Sequence, residues 1–429
     1  MEPGSKPARE HRTFRRFFAD LGPGLITGAA DDNPSGISTY SVAGATFGYA
    51  PLWTALFSFP LMAAVQLMCA RLGVVTGRGL AGVIRLHYPR WVLWSACALL
   101  VVANVINIAA DLGGMAEATT LVTGVSTYVW LPLYATTIVV LLVWSSYRTI
   151  ARVFKWLTLV LGAYVMTAFS VHVDWRSALA ATLIPRIQLS REFFSLLVAI
   201  FGTTISPYLF FWQAAQEVEE ERAMGRSRRQ RQGATADELR RCRDDVITGM
   251  FASNAIMYFI ILTTAATLHA HGRTAIATAR EAAEALRPLA GAGAYWLFTL
   301  GLVGTGMLAV PVLGGSCAYA IAEAAAWGGQ SLANRPRRAR KFYIVIAIAV
   351  LMGLALDYAG LNAIALLYFA AVLNGVLAPP LILLVVLLTR NRSVMGDAVN
   401  SRMLDALGWI TFAVMIAAAL GLLLGASAP

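Results

Sequence analysis

The sequence predicts an all-α polytopic membrane protein. Its expected architecture is an inverted repeat of five plus five helices with one extra C-terminal helix. Of eleven transmembrane helices, the first and sixth are broken. Three observations carry this prediction. First, 58% of the 429 residues are hydrophobic and only 13% are charged, with a mean hydropathy of +0.65, so there is too little polar surface to cover a water-soluble fold. Second, the apolar residues fall in runs long enough to cross about 30 Å of hydrocarbon, roughly 20 residues each. Third, two of those runs are interrupted at corresponding places, by 31-DDNPSGISTY-40 and by 202-GTTISPYLFFWQ-213.

The runs fall at 19–47, 52–72, 91–121, 128–146, 153–173, 193–221, 245–268, 293–326, 341–358, 361–389 and 405–426, and the eighth is long enough to invite a split at Pro311. Their connections carry the orientation signal, because basic residues favour the cytoplasm. With residues 1–18 as a cytoplasmic tail bearing Arg12, Arg15 and Arg16, the other inside segments hold Arg71 to Arg90, Arg148 to Lys155, Arg222 to Arg243, Arg335 to Lys341 and Arg390 to Arg402. The segments near 122–131, 174–192 and 269–292 then face outward, as does the C-terminus. A net charge of +11 is thereby accounted for as topology signal, and no nucleic-acid partner is implied. No cleavable signal peptide is expected, because the first apolar run continues into a full span. The reading is a multi-pass protein of a prokaryotic inner membrane. Its solvent partner is the bilayer, and no obligate protein partner is evident.

Pro34 and Pro207 each remove a backbone donor from a membrane-spanning run, so both helices should unwind and expose carbonyls. Irregular backbone at membrane depth is tolerated only where protein or a watery cavity surrounds it. A pair of such breaks in corresponding halves points to a transporter's substrate site. Five spans separate the breaks, an odd number, so the second unit is inserted upside down. The units are expected at 19–173 and 193–389, with 405–426 as the eleventh helix. The polar stretch 217–245 is expected as a partly helical cytoplasmic loop; its bases either set topology or meet anionic lipid. Cys69, Cys97, Cys242 and Cys317 have no metal-ligand spacing, and no disulfide is expected.

The run 22-GPGLITGAADDNPSGISTYSVAGATFGY-49, followed by 70-ARLGVVTGRGLAG-82 and 109-AADLGG-114, resembles the natural resistance-associated macrophage protein (NRAMP) family of divalent metal transporters. The resemblance extends over essentially the whole chain. It implies the leucine-transporter fold with eleven or twelve helices, and a metal site at the two breaks.

The departures from the family pattern bear on function. Where the family has DPGN, with a metal-binding aspartate and asparagine, this chain has Asn33, Pro34, Ser35 and Gly36. Where the family has MPH, it has Ser206, Pro207 and Tyr208, so the thioether that favours softer metals is gone. Magnesium prefers oxygen and keeps part of its water shell, and a scaffold of this kind without its sulfur resembles the NRAMP-related magnesium transporters. Gly36 and Ser206 would open space for a hydrated ion. The nearest acids are Asp32 and Asp31, with Asp32 the first choice; either also reads as a helix cap or a vestibule residue. Intramembrane acids are functional candidates by default.

By alignment, the carbonyls of Ala30 and Thr203 are expected to give backbone oxygen, and Gln213 replaces a second family histidine. Tyr208 lines the cavity or packs. Asn254 and Asn374 contact the substrate's hydration shell or, as polar residues in apolar runs more commonly do, bond between helices. Gln213, Gln216, Glu217 and Glu220 recur at helical spacing, as an acidic exit or as a solvated helix end.

For coupling, Asp111 matches the first acid of the family's third-span pair, Gly114 replaces the second, and Glu117 lies one turn on. His11, His87, His172, His269 and His271 all fall in terminal or loop positions, so weak or absent proton coupling is expected. No cofactor is implied; the divalent cation, Mg2+ or Mn2+, is cargo. No phosphate loop, nucleophile triad or catalytic metal cluster supports an enzyme. The alternatives are a proton-coupled manganese or transition-metal importer using Asp32 and Asp111, a carrier of a neutral or anionic solute, and a transporter-like receptor.

Overall fold

The computed structural model describes residues 22–144, 159–226 and 230–425, and every regular element among them is helical. The first apolar run divides into α1 (Pro23–Asp31) and α2 (Pro34–Phe47). Then follow α3 (Trp53–Thr76), the short α4 (Leu80–His87), α5 (Arg90–Thr123), α6 (Thr127–Trp144), α7 (Gly162–Ser170) and α8 (Trp175–Leu183). The second break separates α9 (Arg191–Thr204) from α10 (Pro207–Ala223). The remainder comprises α11 (Ala236–Thr267), α12 (Ala279–Ala283), α13 (Arg287–Ala290), α14 (Ala294–Ala324), α15 (Arg340–Asp357), α16 (Ala363–Arg390), α17 (Arg392–Met395) and α18 (Arg402–Gly425).

Eight stretches among the described residues are long and apolar enough to cross a membrane. The other three predicted spans are the broken α1–α2 pair, the run at 153–173, of which only the part from 159 is described, and α15, which carries Arg340, Lys341 and Asp357 at its ends. Residues 1–18 and the basic segment from Arg148 to Lys155 lie outside the described residues.

Both breaks fall where they are predicted, but proline alone does not make them. Pro60, Pro132, Pro311, Pro379 and Pro380 all sit inside continuous helices, and 294–324 is one helix through Pro311. At the breaks proline occupies the first position of the second half-helix, where its missing N–H would have had no intrahelical partner. The polar residues just before it do the rest. The Asn33 side chain accepts from the Gly36 N–H at 2.9 Å and caps α2. The Ser206 hydroxyl lies 2.6 Å from the Thr203 carbonyl and 2.8 Å from that of Gly202, and its one proton holds the end of α9.

Helices approach closely through glycines, as expected where packing cannot draw on a hydrophobic drive. A Cβ on Gly28 would lie 2.2 Å from the Gly249 carbonyl oxygen, and one on Gly249 would lie 2.1 Å from that of Gly24, so α1 and α11 touch backbone to backbone. Gly202 and Gly375 join α9 to α16 in the same way.

Within the stretch 217–245, α10 runs to Ala223 and α11 starts at Ala236, with a connection between them. That connection folds back, with the Gly233 N–H donating to the Val75 carbonyl at the end of α3. The segments at 174–192 and 269–292 likewise contain α8, α12 and α13.

Candidate functional site

The two breaks meet, with the ends of α1 and α9 beside the starts of α2 and α10. Carbonyl ends of helices carry partial negative charge and favour a cation. Asp31 closes α1 and Asp32 follows it; they are 0% and 5% exposed. Ser253 on α11 reaches both carboxylates, with its hydroxyl oxygen 2.7 Å from Asp31 Oδ2 and 3.0 Å from Asp32 Oδ1. A hydroxyl has one proton to give, so it cannot satisfy two carboxylates at once. Asp31 Oδ1 is buried with no hydrogen-bond partner among the described residues. Two buried acids thus converge on one donor, leaving acceptor capacity that a cation would use.

The Tyr208 hydroxyl donates to the Ala30 carbonyl at 2.9 Å, tying the start of α10 to the end of α1 across the site. The carbonyls expected to be free are therefore engaged: Ala30 by Tyr208, and Thr203 by Ser206. Each carbonyl keeps a second lone pair. Gly36 packs where a Cβ would stand 3.3 Å from the Tyr40 ring and 3.4 Å from the Asp31 carbonyl, so it lets α2 start close beside the acids.

Asn33 points away from this pair. Its amide lies 3.5 Å from Asp111 Oδ2 on α5, and the Ser35 hydroxyl lies 3.4 Å from the other oxygen of Asp111. Asp111 is fully buried and thereby joined to the first break. Near the first break, Met115 Sδ and Pro34 both pack on Gly306, 2.3 and 3.3 Å from where a Cβ would be.

Other sequence candidates are held in structural bonds. Glu117 accepts from the Ala279 N–H at 3.0 Å and caps α12. Asn254 receives the Ser58 hydroxyl and donates to the Ala55 carbonyl, bonding α11 to α3. Asn374 exchanges amide bonds of 3.0 and 3.1 Å with Asn107 on α5. Gln213 accepts from Thr27 at 2.5 Å and donates to Glu217 at 2.8 Å, forming a polar track between α1 and α10. Gln213 and Glu217 are both buried, which rules out a solvated helix end at that turn.

Sequence reasoning missed Ser253 and Asp245. Asp245 Oδ1 accepts from Gly22 at 2.9 Å and Leu25 at 3.3 Å, and Oδ2 accepts from Gly24 at 2.6 Å, so one carboxylate caps the first turn of α1. The available signal was an acid entering an apolar run some 220 positions after a glycine-rich one.

A membrane protein whose two broken helices meet at a buried, acid-lined centre is a transporter of the leucine-transporter fold. Residues 24–425 match the family model described as natural resistance-associated macrophage protein-like, and the chain belongs to that family, whose members are transporters rather than enzymes. A manganese transporter of Eremococcus coleocola, solved with an aromatic bis-isothiourea compound, is 20% identical, with a TM-score of 0.76 over 96% of this chain and 87% of that one. More distant structures share the fold. Mhp1 in its inward-facing conformation is 14% identical (TM-score 0.52, 93% of this chain and 91% of that one), and MhsT with L-phenylalanine is 11% identical (TM-score 0.57, 93% and 98%). The chain is thus a multi-pass membrane transporter of the divalent-metal class.

Proposed function

We propose that this protein carries a hard divalent cation, Mg2+ and also Mn2+, held largely hydrated between the helix breaks and moved with weak or no proton coupling. The observation that carries this reading is the convergence of Asp31 and Asp32 on the single Ser253 hydroxyl, an all-oxygen set beside two helix carbonyl ends. Oxygen ligands with one or two carboxylates suit magnesium, which keeps several waters. From the centre, the Thr27–Gln213–Glu217 track offers the route toward the arginine-rich side. We place that side, with the N-terminus, in the cytoplasm of a prokaryotic cell and the C-terminus outside, and take 19–173 and 193–389 as the inverted units with 405–426 added.

The test is ion uptake into liposomes holding the purified protein, comparing magnesium, manganese and calcium while following internal pH. Saturable magnesium and manganese flux without acidification, abolished in Asp32→Ala or Asp31→Ala, supports the reading. No divalent flux for any ion overturns it. A second reading, proton-coupled transport of manganese or another transition metal, draws on Met115 beside Pro34 and on Asp111 bonded to the break. Acidification that tracks manganese flux would favour it.

A further inference from the structure

On the arginine-rich side, away from the helix breaks, α4, α10, the end of α14 and Arg231 of the returning connection line a half-open cavity of about 410 Å³. It is within the range of small-ligand sites, about 300–1,000 Å³. Four arginine residues line it: Arg78 and Arg85 from α4 and its approach, Arg222 from α10, and Arg231 from the connection. Trp327 lines it as well, with the Lys341 ammonium 5.4 Å from its ring centroid.

Two carboxylates, Glu219 and Glu323, line the cavity with these arginines, and both have other duties. Glu323 accepts from the backbone N–H groups of Gly79 and Gly82, each at 2.9 Å, and so caps α4. Glu219 pairs with Arg222 at 2.6 Å. Arg85 Nε is buried with no hydrogen-bond partner among the described residues. Arginines that only set topology would point into water. These come from three separate segments and turn into one cavity, and the Arg231 segment is fixed there because its backbone carbonyl would lie 2.5 Å from a Cβ on Gly77. Converging guanidiniums match the planar, multidentate recognition of phosphate.

We propose that this cavity binds a phosphate-bearing anion, either the headgroup of an anionic phospholipid or a free phosphate compound, and thereby bridges α4, α10 and α14. Because α10 also carries Tyr208 and Gln213, the ligand would bear on the half-helix that forms one wall of the ion site.

The test uses the full chain in nanodiscs. Thermal unfolding is followed with zwitterionic lipid alone, with inorganic phosphate added (sodium chloride at equal ionic strength as control), and with phosphatidylglycerol replacing part of the lipid. Wild-type protein is expected to be stabilised by one or both, and the Arg85→Gln/Arg222→Gln variant to need at least tenfold more of the same ligand for the same shift. Stabilisation by phosphatidylglycerol alone identifies a lipid headgroup, and stabilisation by inorganic phosphate identifies a soluble anion. No response beyond the chloride control, or an equal response in the variant, overturns the proposal. Should that variant fail to fold, Arg85→Lys keeps the charge but loses the fork geometry, and an unchanged response there also counts against it.

Discussion

Replacing Ser253 by alanine removes the one donor shared by Asp31 and Asp32 while leaving both carboxylates in place. The hydroxyl has one proton, so one charge-assisted bond is lost rather than two, and such bonds contribute about 1.5–3 kcal/mol. At about 1.4 kcal/mol per tenfold, a hydroxyl that orients the carboxylates for a cation should raise the KM for magnesium and manganese by roughly ten- to a hundredfold. A hydroxyl that only packs α11 against α1 would instead lower the amount of folded protein and leave KM alone. Proteoliposome uptake at matched protein loading separates the two, with Ser253→Thr as the rescue because it keeps the hydroxyl. Unchanged KM and maximal rate in folded Ser253→Ala would refute the assignment of this residue to the ion site.

Asn33→Asp restores a family-like acid and should still cap α2, but it places a carboxylate where the amide now lies 3.5 Å from Asp111. Uptake by this variant is expected to become pH-dependent between pH 5 and 8 where the wild type is flat, and a flat profile would show that the two positions do not interact. Tyr208→Phe removes the bond that ties the two breaks, about 1 kcal/mol, and should speed amide hydrogen exchange in the last turn of α1 about fivefold. Gly28→Ala puts a methyl group 2.2 Å from the Gly249 carbonyl. The overpacking should cost about 1–3 kcal/mol, read as a lowered unfolding temperature, whereas the same change at Gly162, where nothing among the described residues lies within 4 Å, should not.

The broken helices were legible because a proline preceded by capping side chains is a local signal: Asn33 and Ser206 lie within one turn of the residues they serve. Pro60 and Pro311 show the limit of that signal, since the same residue without such neighbours stays inside a helix. Asp31 and Asp32 were legible as charges in an apolar run. Ser253 was not, because a serine in a transmembrane helix is ordinary and its partners lie 222 and 221 positions away. Asn254 and Asn374 stood out by polarity alone, which cannot distinguish a ligand from a bond between helices; their side chains are engaged with α3 and α5. Asp245 read as the end of a charged linker, and only the fold brings it beneath α1.

The clasp that Asp245 makes on Gly22, Gly24 and Leu25 has an all-or-none character. Three backbone donors share a single side chain, so displacing that one carboxylate releases all three together. A segment held this way spends little time half-released, and for a transporter that means few moments when the centre communicates with both sides of the membrane. Asp245→Asn, which keeps the shape but weakens the grip, is expected to give a passive ion leak in proteoliposomes before any loss of fold.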